Sequence, residues 1–204
     1  RLFTEDDFKD VENGVLKDGV PKQTFTAKVR PGDIKYVDLD KNGFIDTYDQ
    51  MAIGGTENPE IVYGFGVNLR WKELDFGAMF QGIGRTWRIL SSNIMPASNK
   101  GSMYNIFDNY QDRWTVDNQS QDVFYPRADY GPNANNSQKS TWWLRNMSFL
   151  RLKNLELGYS CPKKWLQGFV ISNARVFVRG TNLLTFSKFN LWDPELATGD
   201  GAKY

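Results

Sequence analysis

From Tyr63 the chain alternates with period two. Tyr63, Phe65, Val67, Leu69 and Trp71 are apolar, and Gly64, Gly66, Asn68 and Arg70 stand between them. This predicts a strand with one greasy face and one small or polar face. After Lys72 and Glu73 the pattern resumes, with Leu74, Phe76, Ala78 and Phe80 set against Asp75, Gly77, Met79 and Gln81. The two runs read as a tight hairpin. A third strand is predicted over Phe149–Ser160, where Leu155, Leu157 and Tyr159 alternate with Glu156 and Gly158. Leu150 and Leu152 lie on the opposite parity, which reads as a β-bulge or as entry from a protein-covered region. A fourth run, Ala174–Asn182, carries bulk on both faces: Val176 and Val178 against Arg175, Phe177 and Arg179.

The connections between these strands are unequal. Lys72-Glu73 is minimal, and the link from Cys161 to Asn173 is modest. Residues 1–60, 85–147 and 183–204 are long and irregular. If the strands run down, up, down and up, the long segments fall on one side and the short links on the other. Transmembrane β-barrels have this asymmetry, with short periplasmic turns and longer outer loops. Each run is also about the 9–11 residues that a tilted strand needs to cross a bilayer. The expected fold class is therefore all-β, with about four strands and long extracellular loops forming a fragment of a large antiparallel transmembrane β-barrel. Known barrels of this kind have at least about 8 strands, and an open sheet would leave unpaired edges in lipid. The remaining strands are expected outside this sequence. The alternative is a secreted, calcium-stabilised β-sandwich that binds carbohydrate.

Composition narrows the chemistry. The chain has 204 residues, a net charge of +1, no histidine and one cysteine, Cys161. A histidine-based triad, an ordinary zinc site and an internal disulfide are thereby excluded within it. No basic field marks it for nucleic acid. Aromatics are 15% of residues, a large share that interfacial girdles would use. Asp108, Asp112, Asp117 and Asp122 read as solvated loop charges and not as a glycosidase acid pair. No catalytic residue is expected, and no organic cofactor.

One stretch has the spacing of a cation loop. In DLDKNGFIDTYDQ, Asp38, Asp40, Asn42, the Phe44 carbonyl, Asp46 and Asp49 stand at positions 1, 3, 5, 7, 9 and 12 of an EF-hand-like series, with Gly43 at the sharp turn. Alternate residues of a tight loop converge hard oxygens on one point, as Ca²⁺ requires. The flanks are not EF-hand helices. Ile34, Tyr36 and Val37 read as a short strand, and Thr47 as the cap of one helical turn. The expectation is a structural calcium ion or other divalent cation; a row of Asx turns without metal is the alternative.

The segments Pro31 to Gly84, Phe149 to Trp165 and Ala174 to Leu196, with GDGAKY after the last, resemble in order the C-terminal barrel region of SusC/RagA-type TonB-linked outer-membrane transporters. That resemblance implies a barrel of about 22 strands with a plugged lumen. It places the plug domain, the TonB-contacting segment and a closing last strand outside this sequence. It also implies a SusD-like surface lipoprotein as a lid, import of an oligosaccharide or peptide, and residence in the outer membrane of a Gram-negative bacterium, with the 38–49 loop on the extracellular side. The domain reading is one barrel segment: loop 1–60, hairpin 61–84, loop 85–147, two strands and a periplasmic turn 148–182, and loop 183–204. In the 85–147 loop, Trp87, Tyr104, Trp114 and Tyr125 are candidates for substrate or lid contact, because aromatic faces stack on sugars and peptide side chains. The competing reading is that these rings pack the loop on itself. Trp142 and Trp143, just before a strand, suit an aromatic girdle.

Overall fold

The computed structural model describes residues 1–90, 108–129, 131, 133–168 and 170–196. In chain order its strands are β1 (Phe8–Asp10), β2 (Val15–Leu16), β3 (Lys22–Gln23), β4 (Phe44–Ile45), β5 (Ile61–Trp71), β6 (Leu74–Gly84), β7 (Trp87–Ile89), β8 (Leu144–Asn146), β9 (Phe149–Ser160) and β10 (Arg175–Ser187). Among the described residues the only helical structure is short 3-10 turns, and no helix is long and apolar enough to cross a membrane. The chain divides into two units, Arg1–Gly54 with Ile89–Leu144, and Gly55–Arg88 with Arg145–Ala202.

The second unit contains an antiparallel sheet in the order β10-β9-β6-β5. Register along the sheet explains the sequence pattern. Trp71, Leu74, Tyr159 and Val176 form one cross-strand row; Leu69, Phe76, Leu157 and Val178 form another; Val67, Ala78, Leu155 and Gly180 form a third. Between Asn154 and Leu152 the strand carries one extra residue, Lys153, relative to β6. That shift returns Leu152 and Leu150 to the same face, in rows with Phe65, Phe80 and Leu184, and with Tyr63, Gly82 and Phe186. The parity slip in the sequence is this bulge.

Strand β10 is longer than the sequence pattern suggests. It runs through Asn182 to Ser187. Asn182 has φ of 52°, a turn-like conformation that Asn tolerates, and the register shifts there before pairing resumes at Leu184. A turn-forming residue inside a bulge imitates the end of a strand, which corrects the boundary placed at 182.

One face of this sheet is therefore apolar, and apart from the buried Leu152 much of it is exposed: Phe65 is 52% accessible, Leu69 61% and Val178 75%. A sandwich would cover these residues with a second sheet. The 11 residues of β5 span about 36 Å along the strand, which at a 45° tilt gives the roughly 25 Å apolar band of a membrane wall. The opposite face carries Gly64, Gly66, Asn68 and Arg70 on β5 and Asp75, Gly77 and Gln81 on β6. Arg175 bridges Asp75 and Glu156, and Arg179 donates to Glu156 at 2.6 Å. Both guanidiniums lie against the Phe177 ring, which accounts for the bulk on this face of β10. Gly158 leaves the space that the Arg175 and Asp75 side chains fill; a Cβ there would overlap the guanidinium. Beyond β10, Arg151 of β9 is buried and pairs with Asp193 and Glu195, holding the 193–196 turn to the sheet.

The first unit has its own interior. Its start pairs with residues 32–35: the Phe3 N–H donates to the Asp33 carbonyl, Gly32 to Phe3, and Lys35 to Arg1, each at 2.8 Å. Phe3, Phe8 and Val29 pack as a buried cluster, with Leu16 and Val20 against it. Ile34 bridges to Leu2 and does not form the short strand expected at 34–37, because the chain start, a single bridge long, is its only sheet partner among the described residues. A second group of rings, Phe124, Tyr125 and Trp143, has centroids 4.6 to 6.4 Å apart. Gly32 closes the PGD turn with φ of 86°, and the Trp114 ring lies where its Cβ would be, so two constraints converge on glycine there.

Candidate functional site

The cation-type loop folds around its own backbone. The Asp38 Oδ2 accepts the Gly43 N–H at 2.8 Å, the Asp40 Oδ1 accepts the Asn42 N–H at 3.1 Å, and the Asn42 Oδ1 accepts the Phe44 N–H at 2.7 Å. The Asp49 carboxylate reaches back across the loop, accepting from the Leu39 N–H at 2.6 Å and the Asp46 N–H at 2.9 Å. Hydrogen bonds from the Asp46 and Leu39 amides hold the Asp49 carboxyl below the usual carboxylate range. Gly43 has φ of 87° and Lys41 of 61°, the two left-handed residues that let the loop close. Its far side is pinned by β4, which pairs in parallel with β3 and buries Ile45.

Six ligands were expected from this loop. One carboxylate oxygen each from Asp38, Asp40 and Asp49 lies within 4.8 Å of the other two. Oxygens that share a calcium ion at 2.3–2.6 Å stand at most about 5 Å apart, so the spacing fits. The Asp38 Oδ1 is shielded from solvent and has no hydrogen-bond partner, as a ligand oxygen would be. Asp46 is outside this group; its Oδ1 accepts the Tyr48 N–H at 2.7 Å. The helical turn expected after Thr47 is replaced by this Asp46 turn. The donor set of carboxylate oxygens suits a hard divalent cation.

The aromatic candidates divide differently from the expectation. Trp114 and Tyr125 are buried, at 5% and 1% exposure, and belong to the interior of their unit. Backbone bonds between the two segments hold them there, with Trp114 N–H to the Tyr125 carbonyl and Tyr125 N–H to the Asp112 carbonyl, each at 3.0 Å. In this fold neither ring is presented to a substrate or a lid. Trp143 is also buried, its indole N–H donating to the Asn136 carbonyl at 2.8 Å, and the Trp142 indole donates to the Phe124 carbonyl at 3.1 Å. The buried Trp143 packs a core and not a girdle, as an indole that finds a backbone partner can, while Trp142 is half-buried. Trp87 is half-buried on β7 over Gly55. Tyr104 lies outside the described residues.

A polar knot in the same unit was not legible in the sequence. The Asp33 carboxylate is buried and accepts the Arg30 N–H at 2.8 Å, Asn136 Nδ2 at 2.9 Å, Asn133 Nδ2 at 3.1 Å and Arg127 Nε at 3.1 Å. Arg127 also donates to Asp129 at 2.7 Å. Burial opposes the Arg127 charge, but the Asp33 and Asp129 carboxylates more than offset it and hold its pKa above the ordinary value. The side-chain partners lie about a hundred residues from Asp33, where no local pattern points.

No family model matches the chain. It is 33% identical over 166 residues to TonB-dependent receptor P26 of Formosa agariphila, covering 80% of this chain and 16% of that protein. It is 24% identical over 185 residues to TonB-dependent receptor SusC of Bacteroides thetaiotaomicron, covering 88% and 17%. Among solved structures, the RagAB peptide importer in its open-open state matches with a TM-score of 0.58 and 32% identity, covering 80% of this chain and 18% of that one. The chain spans about a sixth of the length of these relatives. Extended homology and the four-stranded sheet, apolar on one side and charged on the other, agree: this chain belongs to the TonB-dependent receptors of the SusC/RagA type, as a piece of their transmembrane barrel wall.

Proposed function

We propose that the chain is a wall and outer-loop segment of an energy-coupled outer-membrane importer of oligomeric nutrients, peptides or glycans, working with a SusD-like surface lipoprotein and powered through TonB. The observation that carries this reading is the sheet itself. Its exposed apolar face suits lipid, its glycine-rich and ion-paired face suits a lumen, and its relatives are receptors and an importer. The segment contributes no chemical conversion in this reading. Substrate is held by loops and lid and passes inward when the plug is remodelled. Since the RagAB relative is described as a peptide importer, peptides are the first class to test. The test is uptake of labelled oligopeptides and oligosaccharides by cells carrying or lacking the full-length polypeptide, with and without a functional TonB. Uptake lost in both deletions is the expected result. Uptake of both classes unchanged by either deletion would sink the reading.

The 38–49 loop takes a structural calcium ion in this proposal. Asp38, Asp40 and Asp49 supply carboxylates, with Asn42 and the Phe44 carbonyl from the same turn. When bound, the ion neutralises clustered acids and ties β4 to the rest of its unit. Calcium added to the chelator-stripped full-length protein should raise its thermal stability, by about 2.7 kcal/mol at a hundredfold excess over the dissociation constant. Asp38→Asn should remove most of that gain. Equal melting with and without calcium would leave the loop as a set of Asx turns.

A further inference from the structure

We infer that the short-link end of the four-stranded sheet is a binding edge for anionic phospholipid headgroups, made by Lys72, Lys163 and Lys164 around a rim of aromatic and apolar side chains. The inference rests on the membrane-wall reading of β5, β6, β9 and β10. The apolar face ends at this edge in the row Trp71, Leu74, Tyr159 and Val176. The link after β9 turns back onto that face. It forms a short 3-10 turn over Lys163–Leu166, and its Trp165 ring stands 6.1 Å from that of Tyr159.

Exposure and charge then identify the occupant. Trp165 is 64% accessible, and Val170 and Ile171 further along the link are also exposed. A link surrounded only by water would bury its large apolar residues or do without them. Here Trp165, against Tyr159, continues the apolar face into the turn region, at the level where Trp and Tyr rings favour a membrane interface. From Cys161 to Asn173 the link contains two lysines and no acid. Lys72, in the neighbouring link, holds its ammonium 4.9 Å from the Trp71 ring centroid. Glu73 is the one carboxylate in the two links, so the edge keeps a net positive charge. Lysine stems lie along apolar surface while their ammonium groups reach outward, where phosphate-bearing headgroups are the complementary charge. The lysines of this edge thus face the headgroup layer, and the rings face the acyl chains just beneath it.

The test uses the full-length polypeptide in detergent, offered equal amounts of phosphatidylglycerol and phosphatidylcholine and examined by native mass spectrometry. The wild type should retain phosphatidylglycerol preferentially, and added salt should erode the preference. The triple variant Lys72→Ser, Lys163→Ser, Lys164→Ser should lose it, at about fivefold per lysine. The triple Lys→Arg variant should keep it. Heat-modifiable gel mobility of the same samples reports the barrel separately. A folded wild type that holds both lipids equally, or with a preference indifferent to salt, overturns the headgroup edge and leaves the wall reading standing. So does a folded serine variant with undiminished preference. A wild type with no heat-modifiable form overturns the wall reading, and the edge falls with it.

Discussion

Phe65→Arg should sharply reduce the amount of folded barrel in the outer membrane. Phe65 stands midway along the apolar face of β5, between the rows that hold Trp71 and Ile61, and its ring stacks on Phe80 at 5.0 Å. A cationic side chain at the middle of a bilayer costs about 2–4 kcal/mol in a barrel wall. Loss of the ring stack adds to that. The matched control is Asn68→Arg, three residues along the same strand on the glycine-rich face, where a charge meets polar surroundings. The measurement is the yield and thermal resistance of the heat-modifiable form of the full-length polypeptide. Equal yields for both variants would mean that the two faces have been assigned wrongly.

Asp33→Ala should destabilise the first unit by about 3–5 kcal/mol, because it leaves the half-enclosed Arg127 charge without its main partner. Asn136 loses the acceptor for its buried amide at the same time, and Asn133 is left with Asp129. The double variant Asp33→Ala, Arg127→Ala should cost less than the sum of the two singles, since it removes both members of the buried pair and the carboxylate that remains, Asp129, is partly exposed. Limited proteolysis of the 1–54 and 108–144 segments in the full-length protein, compared across the three variants, reports the local loss directly. A single variant as protease-resistant as wild type would show that the knot is dispensable.

Much of the wall was visible in the order of residues, because strand alternation is a local property with a short period. Tyr63 to Gln81 announced two strands and the turn between them, and Leu150 and Leu152 announced the bulge. The first unit was much less legible. It is held by contacts such as Asp33 to Asn136 and Leu2 to Gln121, which join positions 103 and 119 residues apart. Its strands are two or three residues long, too short for any periodicity to accumulate. The burial of Trp114 and Tyr125 follows from the same circumstance. A ring in a long loop carries no sign of whether it faces a ligand or its own neighbours, and only the folded contacts decide.

The extra residues in the sheet have a further consequence. At the level where β6 advances by one residue, β9 advances by two and β10 by three. The side-chain pattern therefore has a reading frame. Loss of Lys153 alone would act on Phe149–Leu152 as a frameshift acts on codons, sending Arg151 toward lipid and Leu150 toward the lumen. Loss of two residues from β10 would leave its frame intact, since alternation has a period of two. Tolerance to insertion and deletion in this wall should thus follow parity more than length, and β9, with its single extra residue, is the strand on which the rule bears hardest.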